Sequence, residues 1–429
     1  MDSVKEYKCL NCKAGLEFYP PNQNWKCLYC FNEYSKEQLD AVDSINEPSK
    51  KKLPELDSYR CNSCGAELIV DSIISATFCL YCKNHSIIKT RFAGEFKPNS
   101  LIPFKFTKEQ AKEIYKKWIS KRLFAPNEFK QKEEVEKITG IYTPFWLFDC
   151  KVDGMIEGEG TKENSWSDGN YQYTQTKYFR VIRGGNAEYN KVPIDASKKL
   201  DDKFMHMIEP YNYEDLKDFS MEYLSGFMAE KYDVEALEAE NVMKERVHGY
   251  LEERLLDTVA GYTSFNVVDK QIQLTNSNQK YAMLPIYLLI NKYKGKGHIF
   301  IVNGQTGKVV GDTPISRLKQ MLFAGSLLVA SLLLLVLAVP LFIIAIIISI
   351  VVFINVTLKN KGKITINNLT YEENGSFNLS DEREEFIRES TSRTKIETQS
   401  NSSSSSGSNS SSTHTSSSGR SHGGGGGKF

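Results

Sequence analysis

Net charge is almost absent from this chain: 54 Lys and Arg stand against 53 Asp and Glu in 429 residues, leaving +1 at neutral pH. That balance supplies no global attraction to nucleic acid. Histidine is scarce, with six in all, and His206, His248 and His298 are scattered rather than clustered. Each reads as a surface or core residue. Catalytic signatures are missing as well: HExxH, GxSxG and kinase motifs do not occur. Gly307–Val310, GKVV, lacks the earlier glycine and the following Ser/Thr of a phosphate loop. Asp195, Asp201 and Asp202 lie in the polar run DASKKLDD, which reads as a solvated turn. The start, MDSVKEYKC, has no apolar signal-peptide core. Residues 1–315 are therefore expected in the cytoplasm.

Cysteine is what the chain has in a pattern. Eight of nine form four CxxC pairs, Cys9/Cys12 with Cys27/Cys30 and Cys61/Cys64 with Cys79/Cys82. In a reducing compartment such pairs read as metal ligands rather than disulfides. All four cysteines of the first set recur at an offset of 52, together with Ala14/Ala66, Leu16/Leu68, Leu28/Leu80 and Tyr29/Tyr81. The segment is an internal duplication. Each CxxC turn presents two thiolates, and a hairpin between two turns completes a tetrahedral four-cysteine site. Two structural Zn2+ ions are expected, one per half. A redox CxxC lacks a βαβ setting here, and an iron site would use the same four ligands. The ninth cysteine, Cys150, lies in a strand-like run and reads as a small core residue.

The knuckles CLNC, CLYC, CNSC and CLYC resemble the transcription factor IIB-type zinc ribbon. The glycine usual after the second cysteine occurs once, as Gly65; Lys13, Phe31 and Lys83 take the other places. Such ribbons bind nucleic acid, bind proteins or cap a fold. Phosphate contact needs clustered Lys/Arg, which neither ribbon has, so protein docking or capping is favoured. Phe18, Tyr19, Trp25 and Tyr81 are better placed to cover the small ribbon core than to stack bases.

The expected organisation is multidomain: ribbon 1 over residues 1–48, linker and ribbon 2 over 49–97, and an α+β domain over 98–315. In the middle domain, Thr107 and Gln110 form a capping box opening a helix to about Leu123, with Ile114, Trp118 and Ile119 as its buried stripe. Its lysines read as a solvated face. Pro144-Phe145-Trp146-Leu147 and Pro285-Ile286-Tyr287-Leu288 open two similar strand passages, and Asn303–Gly307 is a hairpin loop. Helices are expected over Tyr213–Lys231 and, capped by Asp233, over Val234 to about Val259.

Met321–Leu358 contains 38 residues and no charge. It is expected to be a transmembrane segment, placed at 316–358. Pro340 divides it, and Arg317 and Lys319 before it, with Lys359, Lys361 and Lys363 after it, favour a hairpin over one kinked span. Residues 359–429 are expected to be a disordered tail, rich in Ser and Gly from Ser400, with one short helix in SDEREEFIRESTSRTKIE.

LIPFKFTKEQA, ITGIYTPFWLFDC, VPIDASKKLDD, the stretch from Met207 to Val234 and LPIYLLINKYKGKGHIFIVNGQTGKVVGD resemble a family of bacterial membrane proteins with ribbons of this type. Its members are often labelled primosomal helicase-like; no helicase ATPase motif occurs here, so that label is not carried over. Some are encoded beside phage-shock protein A-like and flotillin-like (SPFH) proteins, which implies these as partners in membrane or envelope stress. The tail end SGRSHGGGGGKF is similar to those of TPM-domain membrane proteins. Together these readings lead to a non-enzymatic adaptor or scaffold at the cytoplasmic face of the cell membrane. The alternative is a membrane-tethered nucleic-acid-binding protein.

Overall fold

The computed structural model describes residues 7–46, 57–70, 79–81, 87–91, 98–337, 339–360, 371–395, 413–415 and 421–423. The chain forms two compact units. The first comprises Met1–Gly158, Val181–Ala260 and Val267–Glu384 and holds both ribbons and most of the middle domain.

Ribbon 1 is a three-stranded antiparallel sheet of β1 (Leu16–Tyr19), β2 (Asn24–Cys27) and β3 (Glu33–Tyr34), followed by helix α1 (Lys36–Asn46). Leu16 pairs with Cys27 and Trp25 with Tyr34, so strand alternation sends Leu16, Phe18 and Trp25 to one buried face. That face is covered by the middle domain: Trp25 Nε1 donates to Glu222 O at 3.1 Å, and Ser225 Oγ donates to Leu16 O at 2.8 Å. Ribbon 2 contributes β4 (Asp57–Cys61), β5 (Glu67–Val70) and β6 (Ile87–Arg91), with β4 paired to both others.

In the middle domain, β7 (Ser100–Leu101) leads to helix α2 (Lys108–Ser120), which opens on the expected capping box: Gln110 N donates to Thr107 Oγ1 at 3.2 Å and Thr107 N to Gln110 Oε1 at 2.8 Å. Its fully buried line is Ala111, Tyr115 and Ile119, spaced by four, with Ile114 and Trp118 half-buried beside it. The short α3 (Lys132–Val135) precedes the long strands β8 (Thr139–Asp168) and β9 (Tyr171–Asp195). Then follow α4 (Asp202–Ile208), β10 (Lys217–Asp218) and β11 (Met228–Glu230). Helix α5 (Ala236–Asp257) leads to β12 (Ser264–Tyr293), β13 (Lys296–Asn303) and β14 (Val309–Gly311). The loop after Asn303 is the expected hairpin, with Gly307 at φ +74°.

Strand β11 joins ribbon 2 to this sheet. It runs antiparallel to β5 and parallel to β8, with Glu230 opposite Leu68 and Met228 opposite Ile141. Tyr213–Lys231 is therefore not the expected helix. Its apolar residues serve separate places: Phe227 stacks on Phe104 at 4.0 Å, Tyr223 meets Trp25 at 5.4 Å, and β11 pairs in the sheet. Helix α5 is present, but Asp233 does not cap it. Glu235 occupies the cap position, and Asp233 Oδ1 accepts from Lys198 N at 2.7 Å instead.

The apolar run forms α6 (Arg317–Leu337) and α7 (Val339–Asn360), with Ser331 Oγ and Ser349 Oγ 3.2 Å apart. The expected transmembrane segment is corrected: among the described residues, no helix is long and apolar enough to cross a membrane.

The short helix expected after residue 379 is also corrected. Asn378–Lys395 is strand β15, paired with β9. Its acids meet the buried Arg183, with Glu384 at 2.6 Å and Glu382 at 3.5 Å. The expected disorder of 359–429 thus fails over 371–395, and β16 (Thr413–Thr415) pairs with β17 (Ser421–Gly423). The remaining tail residues lie outside the described set.

The second unit is Glu159–Arg180, Gly261–Asn266 and Glu385–Phe429. Within it Phe179 packs edge-on against Tyr262 at 5.8 Å and Phe386 at 5.7 Å, and Trp166 stacks on Tyr173 at 5.6 Å. Gly160 lies under the Tyr262 ring, where a Cβ would come within 2.5 Å.

Candidate metal centres

The local backbone by itself builds the three described knuckles. In ribbon 1 Cys9 N donates to Ala14 O at 2.7 Å and Lys13 N to Cys9 O at 2.9 Å. The second knuckle repeats this with Cys27 N to Asn32 O and Phe31 N to Cys27 O, both 2.9 Å. Ribbon 2 repeats it with Cys61 N to Ala66 O at 2.9 Å and Gly65 N to Cys61 O at 2.8 Å. The residue closing each turn is left-handed: Lys13 at φ 63°, Phe31 at φ 61° and Gly65 at φ 71°. The departures from glycine at Lys13 and Phe31 therefore keep the knuckle geometry, at a strain of roughly 1–2 kcal/mol each.

These turns gather Cys9, Cys12, Cys27 and Cys30 with all sulfurs within 4.8 Å of one another. Sulfur separations are 3.3 Å for Cys9–Cys30, 3.5 Å for Cys12–Cys27 and 3.6 Å for Cys12–Cys30. A tetrahedral ion with metal–sulfur bonds of about 2.3 Å places sulfurs about 3.8 Å apart. The cluster fits such an ion. In ribbon 2, Cys61, Cys64 and Cys79 converge in the same way, with Cys64 and Cys79 sulfurs 3.6 Å apart. Cys82, the fourth ligand expected there, lies outside the described residues.

The clustered thiols act on one another's ionisation. Burial opposes ionisation of Cys9, but the Cys12 backbone N–H, Tyr34 and Cys30 outweigh it and bring the thiol down to about 6. Cys12 has the Ala14 N–H to favour its thiolate, yet burial and the thiols of Cys27, Cys30 and Cys9 push it up to about 12. Four thiolates this close repel one another unless a cation neutralises them. Cys9 and Cys27 are buried and Cys12 is exposed, so the ion would sit at the rim of the ribbon.

The outer rim is apolar. Leu28, Tyr29 and Phe31 of the second knuckle are 59%, 83% and 70% exposed, whereas Phe18 and Trp25 are buried against the middle domain. Tyr19 carries Lys26 Nζ 4.5 Å above its ring, and Tyr81 donates its hydroxyl to Glu230.

The other residues singled out by sequence do not assemble with these sites. Cys150 is buried, which pushes its thiol up to about 12, as a core cysteine requires. Burial, aided by Arg246, brings His206 down to about 4, and burial also lowers His248. His298 Nδ1 lies 3.2 Å from Asp312. The DASKKLDD carboxylates differ from a solvated turn: Asp201 caps α4 by accepting from Lys203 N at 2.9 Å, while Asp195 is drawn inside. Sequence reasoning missed Glu230, which is 1% exposed. One acid in MAEKYD gives no sign of burial until β11 is known to lie between two strands.

No family model matches the chain, and no solved structure matches it. It is similar to uncharacterized protein YdjG of Bacillus subtilis strain 168, being 36% identical over 314 residues, which is 73% of this chain and 91% of that protein. Identity at this level over so much of both sequences shows common descent, and the chain belongs to the YdjG family.

Proposed function

We propose that this chain is a non-enzymatic zinc-ribbon adaptor that binds a protein partner through the outer knuckle of ribbon 1. Two Zn2+ ions, one in each ribbon, fix the knuckles and take no part in chemistry, because a site closed by four thiolates keeps no open coordination position. The observation that carries the reading is the exposure of Leu28, Tyr29 and Phe31 together on a rigid turn beside the metal cluster. Large apolar groups grouped on one rigid surface feature are typical of docking sites. The inward commitment of Phe18 and Trp25 supports a protein partner over single-stranded nucleic acid, since those rings are then unavailable for base stacking.

The phage-shock protein A-like and SPFH proteins implied by resemblance are the first partners to try. The test compares the full chain with Leu28→Ser/Tyr29→Ser/Phe31→Ser in titrations against each purified candidate. Binding that weakens at least tenfold in the variant, with metal content unchanged, supports the proposal. Equal binding by both proteins overturns it, and salt-sensitive binding of RNA or DNA instead would move the role to nucleic acid.

A further inference from the structure

The joint between ribbon 2 and the middle domain is built around the buried carboxyl of Glu230 and that of the half-buried Asp195. Glu230 ends β11, between β5 of the ribbon and β8 of the middle domain. Its carboxyl accepts hydrogen bonds from both sides: the Tyr81 hydroxyl from the ribbon, and Ser197 Oγ at 2.7 Å from the segment after β9. Asp195 closes β9 beside it. One oxygen accepts from Ser197 N at 3.3 Å, and the other is buried with no hydrogen-bond partner among the described residues.

Lys199 draws Glu230 toward its ionised form, but among the described residues each nearby lysine also serves another carboxylate. Lys199 Nζ is engaged with Asp233 at 3.1 Å, and Lys231 Nζ with Glu67 at 3.5 Å. Asp202 adds a further negative charge near Asp195, and Asp233 one near Glu230. Two carboxylates held together out of water cannot both ionise cheaply, and a shared proton relieves the repulsion.

We propose that the joint is a proton-operated latch, closed while the Asp195–Glu230 pair holds a proton and loosened when both carboxyls ionise. Opening would part β5 from β11 and release Tyr81, freeing ribbon 2 to move while its metal knuckles remain intact. Burial raises Glu230 to about 7 against the hydrogen bonds from Tyr81 and Ser197, which favour its ionised form. Burial first, then Glu230 and Asp202, hold Asp195 well above the usual range for aspartate.

The sign follows from linkage. A carboxyl raised on closing takes up a proton, so closure is strongest below the ordinary glutamate value of 4.5 and weakens as pH rises toward 7. Asp195 extends the window upward. From the Glu230 values alone, the opening equilibrium rises by tens of fold between about pH 5.5 and about pH 8.

Hydrogen–deuterium exchange on the metal-loaded full chain reads this directly. Protection factors for β4 and β5, with intrinsic pH dependence divided out, should fall by that factor across the range while metal content stays constant. Glu230→Gln should flatten the dependence. Ser197→Ala, which removes a donor to the carboxylate, should move the transition to higher pH and serves if the glutamine variant does not fold. Flat protection overturns the latch, as does a slope that survives unchanged in Glu230→Gln. Protection that instead falls on acidification, with metal released, would assign the response to the thiols and also overturn it.

Discussion

At the residue scale, strain and burial sit at particular side chains and can be measured there. Lys13 takes a left-handed conformation at φ 63°, where its ribbon 2 counterpart is Gly65. Lys13→Gly should therefore leave stability unchanged or raise it by up to about 1 kcal/mol, and Lys13→Val should lower it by a similar amount. Urea denaturation of the metal-loaded protein checks the pair; a loss in the glycine variant would mean that the lysine side chain does more than fill the turn. The buried pair of Arg246 and Glu209 is a harsher case. Arg246 Nη1 also donates to Pro193 O at 2.7 Å, and the Tyr371 hydroxyl donates to Glu209 Oε2. Arg246→Met strands a buried carboxylate and should cost about 3–5 kcal/mol, whereas Arg246→Met with Glu209→Leu should cost much less. Equal losses would contradict the view that the unpaired charge is the damage. Local signals of the Thr107 capping box kind were legible in sequence because donor and acceptor lie three residues apart. Glu230 and Asp195 were not, because their burial is created by strands distant in the chain.

At the element scale the same contrast holds. The CxxC pairs other than Cys79/Cys82, the Asn303–Gly307 hairpin and α5 depend on short-range patterns, and each stands in the structure. The segment 213–231 depends on what surrounds it. Phe227, Tyr223 and Met228 reach three different neighbours, and Gly226 at φ +86° lies against Glu17. Strand β15 is the reverse error: its mixed charges suit an exposed helix, but the acids are drawn to Arg183 on β9. Trp25 helps hold ribbon 1 to the middle domain: its ring meets Tyr223 at 5.4 Å and packs inside the ribbon against Tyr7 at 5.2 Å and Phe18 at 5.3 Å. Trp25→Ala should cost about 3–5 kcal/mol and make β1 and β2 exchange faster than the sheet of β12 and β13. Uniform acceleration everywhere would show that the ribbon and middle domain unfold together.

At the scale of the whole molecule, each ribbon is a small element tied to a larger core. Below about 40 residues a core seldom folds unaided, so a bound metal would share with the middle domain the work of ordering these knuckles. Native mass spectrometry of the reduced full chain tests most directly the proposed zinc site in each ribbon. Two zinc ions per chain are expected, with Cys27→Ser losing one and keeping the other. A metal-free mass, iron in place of zinc, or cysteines found as disulfides would contradict it.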